Sequence, residues 1–310
     1  MTKKLNPHWA SADDTTYFPR GKSKIIPKLS PGVYNIENSM QGPYFHKNQV
    51  NLGDLLRFED ENIDLALKEI SSFWTKKELF KNHEFPFRRG ILLYGPPGSG
   101  KSSCLKLIVK EIIDLGGIAI NFNSIELFVS GMSLLRTIEK ETPIVVLMED
   151  LDSILDYNDQ SAVLNMLDGI GGFENIVFLA TTNYIDSLEG RIKNRPSRFD
   201  RRFFIDFPNE KSRKLYLEHI IGKTNEFKNI DIDQWVKDTK GFTLAHLKEL
   251  YLSVCFFDND YNEVLVRLTN MTSPEDYDQS LDNNDDKDDY DDVALCPIPA
   301  TNGKSNIIHF

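Results

Sequence analysis

The sequence predicts an α/β fold: a parallel sheet covered by helices on both faces, followed by a small all-helical unit. Three observations carry that prediction. Short apolar runs recur through the middle of the chain (Ile91–Tyr94, Ile118–Phe122, Ile144–Met148, Val177–Ala180 and Phe203–Phe207), and each reads as a buried strand. Helical patterns separate them, such as Val163, Met166, Leu167 and Ile170, and strands alternating with helices give a three-layer sandwich. After Pro208 the strands stop, and Arg213–Ile221, Gln234–Asp238, Leu244–Cys255 and Tyr261–Met271 read as helices.

Taken in order, the 310 residues divide into an N-terminal arm (1–50), the α/β core (51–208), a helical lid (209–272) and an acidic tail (273–310). In the arm, Pro19, Pro27, Pro31 and Pro43 break any long helix. Val33–Ile36 and Tyr44-Phe45 read as short strands, so the arm is expected to pack on the core or on a neighbouring subunit. Ile63, Leu67 and Ile70 recur at helical spacing ahead of Phe73 and Trp74, and Leu79 and Phe80 mark a second short helix. In the lid, Leu244, Leu247, Tyr251 and Val254 form one apolar face.

Composition narrows the class. With 40% hydrophobic and 27% charged residues, the chain reads as a soluble globular protein. Its apolar runs are far too short to span a bilayer, and Met1–Pro7 lacks the apolar core of a signal peptide. Cys104, Cys255 and Cys296 lie far apart, which argues against a disulfide framework or a zinc site and makes a reducing, cytoplasmic location the expectation. Ser273–Asp292 holds ten acids against Lys287, so most of the net charge of −11 sits there and the stretch reads as a disordered, solvating tail, with a docking tail or nucleic-acid mimic as the alternative. The remaining body is nearly neutral and argues neither for nor against nucleic acid.

The chemistry begins at Gly95-Pro96-Pro97-Gly98-Ser99-Gly100-Lys101-Ser102, which reads G-x-x-x-x-G-K-[ST], the phosphate-binding P-loop. A strand leads into it. A helix leads out, with Leu105, Ile108, Val109 and Ile112 on one face and Gly116-Gly117 as its stop. The glycines let backbone N–H groups turn inward around a phosphate, and the helix start adds its positive dipole end. Gly95 to Ser103 are therefore the candidate nucleotide-binding residues. Lys101 is expected to reach the β- and γ-phosphates and Ser102 to ligand Mg²⁺.

The third strand ends in Glu149-Asp150-Leu151-Asp152. A strand ending in acids downstream of a P-loop is the Walker B arrangement, in which one carboxylate supports Mg²⁺ and another positions or deprotonates the attacking water. The candidate metal ligands are thus Ser102 and Glu149, and Asp150 takes the place of the base. The fourth strand ends in Thr181-Thr182-Asn183, a polar group at the same sheet edge. Asn194–Arg202 then reads, by itself, as a solvated basic loop, and beside a nucleotide site also as a source of guanidinium groups for transition-state charge.

Together GPPGSGKS, VVLMEDLD, LNMLDGIGGFENIVFLATTN and RPSRFDRRFFIDFPNEKSRK resemble an AAA+ ATPase of the AAA clade, over roughly Leu55 to Met271. The resemblance implies a P-loop NTPase core with a helical lid, ATP in the cleft between them, and a homo-oligomeric ring, usually a hexamer, whose sites are completed in trans. It implies that Asn183 helps orient the water, that Arg195 and Arg198 act as arginine fingers, and that Ala245 stands where other AAA+ proteins place a sensor-2 arginine. It also implies that Asp54–Leu56, with His219 or Ile220, hold the adenine. The Glu149-Asp150 order reverses the usual Asp-Glu and resembles the subgroup of mitochondrial respiratory-complex assembly AAA proteins. Phe128-Val129-Ser130-Gly131 resembles the family's aromatic pore loop, while Phe128 reads equally as a core residue. The expected activity is ATP hydrolysis by a chaperone-like motor that remodels or translocates a macromolecule, most naturally protein. A nucleic-acid motor and a slowly hydrolysing ATP-dependent scaffold are the alternatives.

Overall fold

The computed structural model describes residues 8–11, 17–20, 28–40, 42–52, 55–58, 60–169, 171–186, 188, 198–223 and 230–271. The acidic tail lies outside the described residues. At the start of the chain, strands β1 (His8–Ser11) and β2 (Tyr17–Arg20) pair as an antiparallel hairpin. The remaining strands build one sheet: β3 (Gly32–Ser39), β4 (Gly42–Asn48), β5 (Arg88–Tyr94), β6 (Ile118–Asn121), β7 (Ile144–Met148), β8 (Ile176–Thr182) and β9 (Arg201–Phe204). Its order is β4-β3-β6-β7-β8-β5-β9, parallel except at the β3–β4 pair.

The arm is thereby placed in the core sheet of its own chain. Strand β3 extends the sheet beyond β6, with Gly32 opposite Ile118 and Asn35 opposite Asn121. The Asn35 carbonyl oxygen Oδ1 accepts from Asn121 Nδ2 and from Asn48 Nδ2, both at 2.8 Å, tying three strands with one side chain. The sequence marked β3 and β4 as strands, but no local signal specifies which sheet edge they join.

Strand residues alternate between two packed layers. Ile91 and Leu93 enter the layer formed with α1 (Glu61–Trp74) and α3 (Lys101–Asp114), whereas Leu92 enters the layer formed with α4 (Ile125–Ile138), α5 (Leu151–Tyr157) and α6 (Gln160–Asp168). Every residue of β7 and β8 is buried, as expected for parallel strands covered on both faces. The short helix α2 (Lys77–Asn82) sends Phe80 against Phe73 and Phe87 beneath the entry to β5. Cys104 is free and buried, and burial pushes its thiol up to about 12, so it acts as a small core hydrophobe.

A third core belongs to the lid. Helices α7 (Glu210–Ile221), α8 (Ile232–Asp238), α9 (Leu244–Cys255) and α10 (Tyr261–Met271) bury Leu217, Trp235, Phe242, Leu247, Leu250 and Leu268 against one another. Each of α7, α8 and α9 opens on a side-chain cap, from Asn209, Asp231 and Thr243. No helix among the described residues is long and apolar enough to cross a membrane.

One of the two readings of Phe128 is settled by packing. The stretch Phe128–Gly131 lies within the uninterrupted helix α4, and Phe128 is only 2% exposed. Its ring meets Phe122, Phe173 and Phe178 at centroid distances of 5.4, 6.0 and 6.2 Å. A Cβ on Gly131 would stand 2.6 Å from Ile36 Cγ2, so this turn of the helix is pressed against the arm strand β3. The helix continues because its apolar positions repeat at helical spacing and Ser124 caps it by accepting from Leu127 N–H. Phe128→Ala should therefore cost stability of about 3–5 kcal/mol, the range for emptying a buried aromatic site. Denaturant unfolding measures it, and a loss below 1 kcal/mol would contradict the packing.

Candidate active site

The sheet order brings the predicted motifs to one edge. β8 pairs on one side with β5, placing Tyr94 opposite Thr182, and on the other with β7, placing Met148 opposite Ala180. The P-loop, Glu149-Asp150 and Thr181–Asn183 thus leave three adjacent strands at their carboxyl ends, where ligands bind in open parallel sheets.

Close backbone approach shapes the loop. Gly95 has φ +151°, and a Cβ there would stand 2.0 Å from the Ile205 carbonyl oxygen. Gly98 has φ +73°, and its Cβ would stand 2.7 Å from Thr243 Oγ1, at the cap of α9. The Leu244 N–H donates to the Gly98 carbonyl at 3.2 Å, so the lid helix starts on the P-loop itself. Thr243 accepts from His246 N–H, and the His246 ring accepts in return from Thr243 N–H at 3.4 Å. Burial pushes His246 below its ordinary value, which keeps the ring neutral in this box.

Lys101 is 7% exposed and donates to the Gly95 and Pro96 carbonyls, each at 2.8 Å. Burial pushes its ammonium down to about 8, against the pull of Asp150 and Asp152. A lysine held in this way carries a desolvated charge that an incoming phosphate would neutralise. Ser99 Oγ is buried without a partner among the described residues, so the loop carries an orphaned hydroxyl.

Across the loop, Ser102 Oγ donates to Glu149 Oε2 at 3.3 Å. A hydroxyl and a carboxylate this close supply two hard oxygen ligands, which suits Mg²⁺ completed by phosphate and water. No cluster of three or more His, Cys, Asp or Glu capable of holding a metal occurs among the described residues. Asp150 opens α5 with left-handed backbone, φ 52° and ψ 64°, a conformation that aspartate tolerates better than most residues. Its N–H donates to Thr181 Oγ1 at 3.1 Å, and Thr182 donates to Asp152, so β8 fixes the acidic turn from beneath.

These groups open into a cleft of about 850 Å³ between the sheet edge and the lid. Asn183 lines it beside Glu149 and Asp150. Leu55 and Leu56, together with His219 and Ile220, line it as well, whereas Asp54 lies outside the described residues. Ala245 is there too. The sequence reading missed Phe58, Tyr216, Lys106 and Lys248, which share the cleft. Phe58 and Tyr216 meet at 6.5 Å and close the apolar end. Helical spacing from Ser102 and from Ala245 is the signal that would have found the two lysines.

Arg198 does not line the cleft. Arg195 is outside the described residues. Arg198 is 5% exposed and grips Asp168, at the end of α6, with two bonds: Nε to Oδ1 at 3.1 Å and Nη2 to Oδ2 at 2.8 Å. Its carbonyl oxygen would stand 1.9 Å from a Cβ on Gly90, and Asp200 accepts from Gly90 N–H at 2.8 Å. The Arg198-Phe199-Asp200 triplet is therefore built into the start of β5, at the opposite end of that strand from its own P-loop.

Fold and site define a P-loop nucleotide triphosphatase core with a helical lid. Residues 91–207 match the family model described as ATPase family associated with various cellular activities (AAA), so this segment is similar to an AAA ATPase domain. The chain is similar to the ATP-dependent zinc metalloprotease FtsH 2 of Thermoanaerobacter sp. (29% identical over 242 residues, 73% of this chain and 47% of the relative). It is also similar to a cell division cycle protein 48 homolog of Archaeoglobus fulgidus (30% over 211 residues, 63% and 28%) and to a putative cell division cycle ATPase of Plasmodium falciparum (28% over 251 residues, 74% and 20%). It spans less than half the length of each.

Lys101→Ala should remove most ATP affinity while leaving the fold intact, because it deletes the charge facing the phosphates. Calorimetric titration of folded variant with Mg·ATP tests this, and unchanged affinity would refute the assignment.

Proposed function

We propose that the chain is a ring-forming AAA motor that couples ATP turnover to the remodelling of a protein substrate. The observation that carries this reading is the convergence of Lys101, Ser102, Glu149, Asp150 and Asn183 at one sheet edge beneath a lid that begins on the P-loop. Lys101 and the loop amides hold the triphosphate. Ser102 and Glu149 hold Mg²⁺, which supplies charge neutralisation on the β- and γ-phosphates when bound. Asp150 accepts the proton of the attacking water and Asn183 orients that water. Asp150 carries one methylene less than the usual glutamate, and the left-handed turn at its Cα sets where the shorter carboxylate is presented. The Glu149-Asp150 order supports kinship with the respiratory-complex assembly AAA subgroup.

In this reading Arg198, with Arg195, completes the site of the neighbouring subunit. Its position away from its own cleft supports a role in trans. The names of the relatives, an ATP-dependent protease and cell-division-cycle ATPases, support a protein substrate. The burial of Phe128 argues that the grip on that substrate lies outside α4, leaving the arm and the lid surface as the elements that differ from a threading pore.

Asp150→Asn should retain ATP binding and abolish turnover, since an amide cannot accept the proton. Because Arg198 also pairs with Asp168, the finger is better tested by Arg198→Lys, which keeps a cation for that carboxylate but loses the planar fork. An arginine finger is worth roughly 10³ to 10⁵ in rate, so Arg198→Lys should lose most turnover with little change in ATP affinity. Mixing it with Asp150→Asn under conditions of verified subunit exchange should restore part of the activity. Zero activity at all ratios, together with a monomeric mass under ATP, would overturn the ring.

A further inference from the structure

We propose that Lys248, on the lid, is a nucleotide contact that reaches back over Ala245 to the phosphates bound at the P-loop. The inference rests on the reading of the cleft as the ATP site and adds a cation from the lid, where Ala245 supplies none.

The geometry begins with α9. Its first N–H donates to the Gly98 carbonyl, so the N-terminal turn of the helix is fixed against the phosphate loop. Ala245 and Lys248 are three residues apart and occupy one face, and both line the cleft together with Tyr251 and Leu252. Helical side chains lean toward the N-terminus of their helix, so the surface Lys248 covers lies over the turn N-terminal to its own Cα. That turn holds Leu244 and Ala245, directly above Gly98 and Gly100; Ala245 Cβ would stand 3.3 Å from a Cβ on Gly98. With only a methyl group at 245, the four-carbon stem of Lys248 has space to run down to the loop.

Lys248 also lacks a competing partner. No ion pair or hydrogen bond engages it among the described residues. Its neighbours one turn away, Leu244, Ala245, Tyr251 and Leu252, carry no charge. The adjacent Glu249 is on another face, accepting from Ser253 at 2.8 Å and from Arg267 at 3.1 Å. Lys106, on α3, lines the opposite wall of the cleft and already belongs to the helix that carries the P-loop. Lys248 differs because it sits on the lid: a contact from it to phosphate couples closure of the lid to the number of phosphates bound. A lysine suits this role as a flexible point charge that tolerates variable geometry better than a planar fork.

The test is a set of calorimetric titrations of Lys248→Gln, Lys248→Arg and the unmodified chain with Mg·ATP, ADP and AMP at two salt concentrations. Lys248→Gln should weaken ATP binding by about tenfold, the worth of one charge-assisted contact, while AMP binding stays within twofold and Lys248→Arg recovers most of the loss. The deficit should shrink at high salt. Hydrogen exchange gives a second readout: ATP should protect the first turn of α9 in the unmodified chain and less so in Lys248→Gln. Equal losses for ATP and AMP would assign Lys248 to the base end or to lid packing and overturn the proposal, as would ATP affinity identical to the unmodified chain. If Lys101→Ala in parallel retains full ATP affinity, the cleft is not the phosphate site and the underlying reading fails instead.

Discussion

Strand β8 hydrogen-bonds to β5 on one side and to β7 on the other, and the chemistry of the molecule depends on that pairing. A parallel strand offers its carboxyl end to whatever ends beside it, and here the three ends carry a phosphate loop, a pair of acids and a polar triplet. Slipping β8 by one residue would move its entire side-chain set to the opposite face. It would also carry Thr181 away from the Asp150 N–H and Thr182 away from Asp152. The complete burial of β7 and β8 makes such a slip prohibitive, so hydrophobic packing on two faces holds polar groups in place at the edge.

The lid is joined to this edge by backbone rather than by long side chains. Gly98 accepts from Leu244 N–H and leaves no space for a Cβ beside Thr243. A helix beginning on a phosphate loop places its positive end and its first-turn residues close to any bound anion. The lid and the phosphate loop are thus joined through one short contact, and the proposed Lys248 contact would give the lid a means of sensing charge in the cleft.

Two features beside the AAA motifs have local causes. Phe128–Gly131 matches the pore-loop signature in residue type, yet α4 runs through it without interruption and Ile36 of the arm closes on Gly131. Once the arm strands join the sheet beyond β6, the flank of α4 gains a packing partner, and an aromatic side chain is worth more in that core than in solvent. Arg198 is likewise held by Asp168 at 5% exposure. The triplet that carries it also closes over Gly90, so the same residues serve the start of β5, at the end of the strand away from the P-loop.

The motifs themselves were legible in order and spacing, because a phosphate loop needs glycines and a lysine, and a strand that ends in acids reads locally. The five core strands were legible for the same reason, from apolar runs that only a two-sided sheet can bury, and the lid helices followed from their periodicity, whereas the β1–β2 hairpin carried no such signal. What tertiary structure alone decided was juxtaposition. The arm's place at the sheet edge, the burial of Phe128, the pairing of Arg198 with Asp168, and Phe58, Tyr216, Lys106 and Lys248 in the cleft all depend on contacts between segments distant in sequence. Such contacts are set by which surfaces pack, and a local pattern holds no record of them.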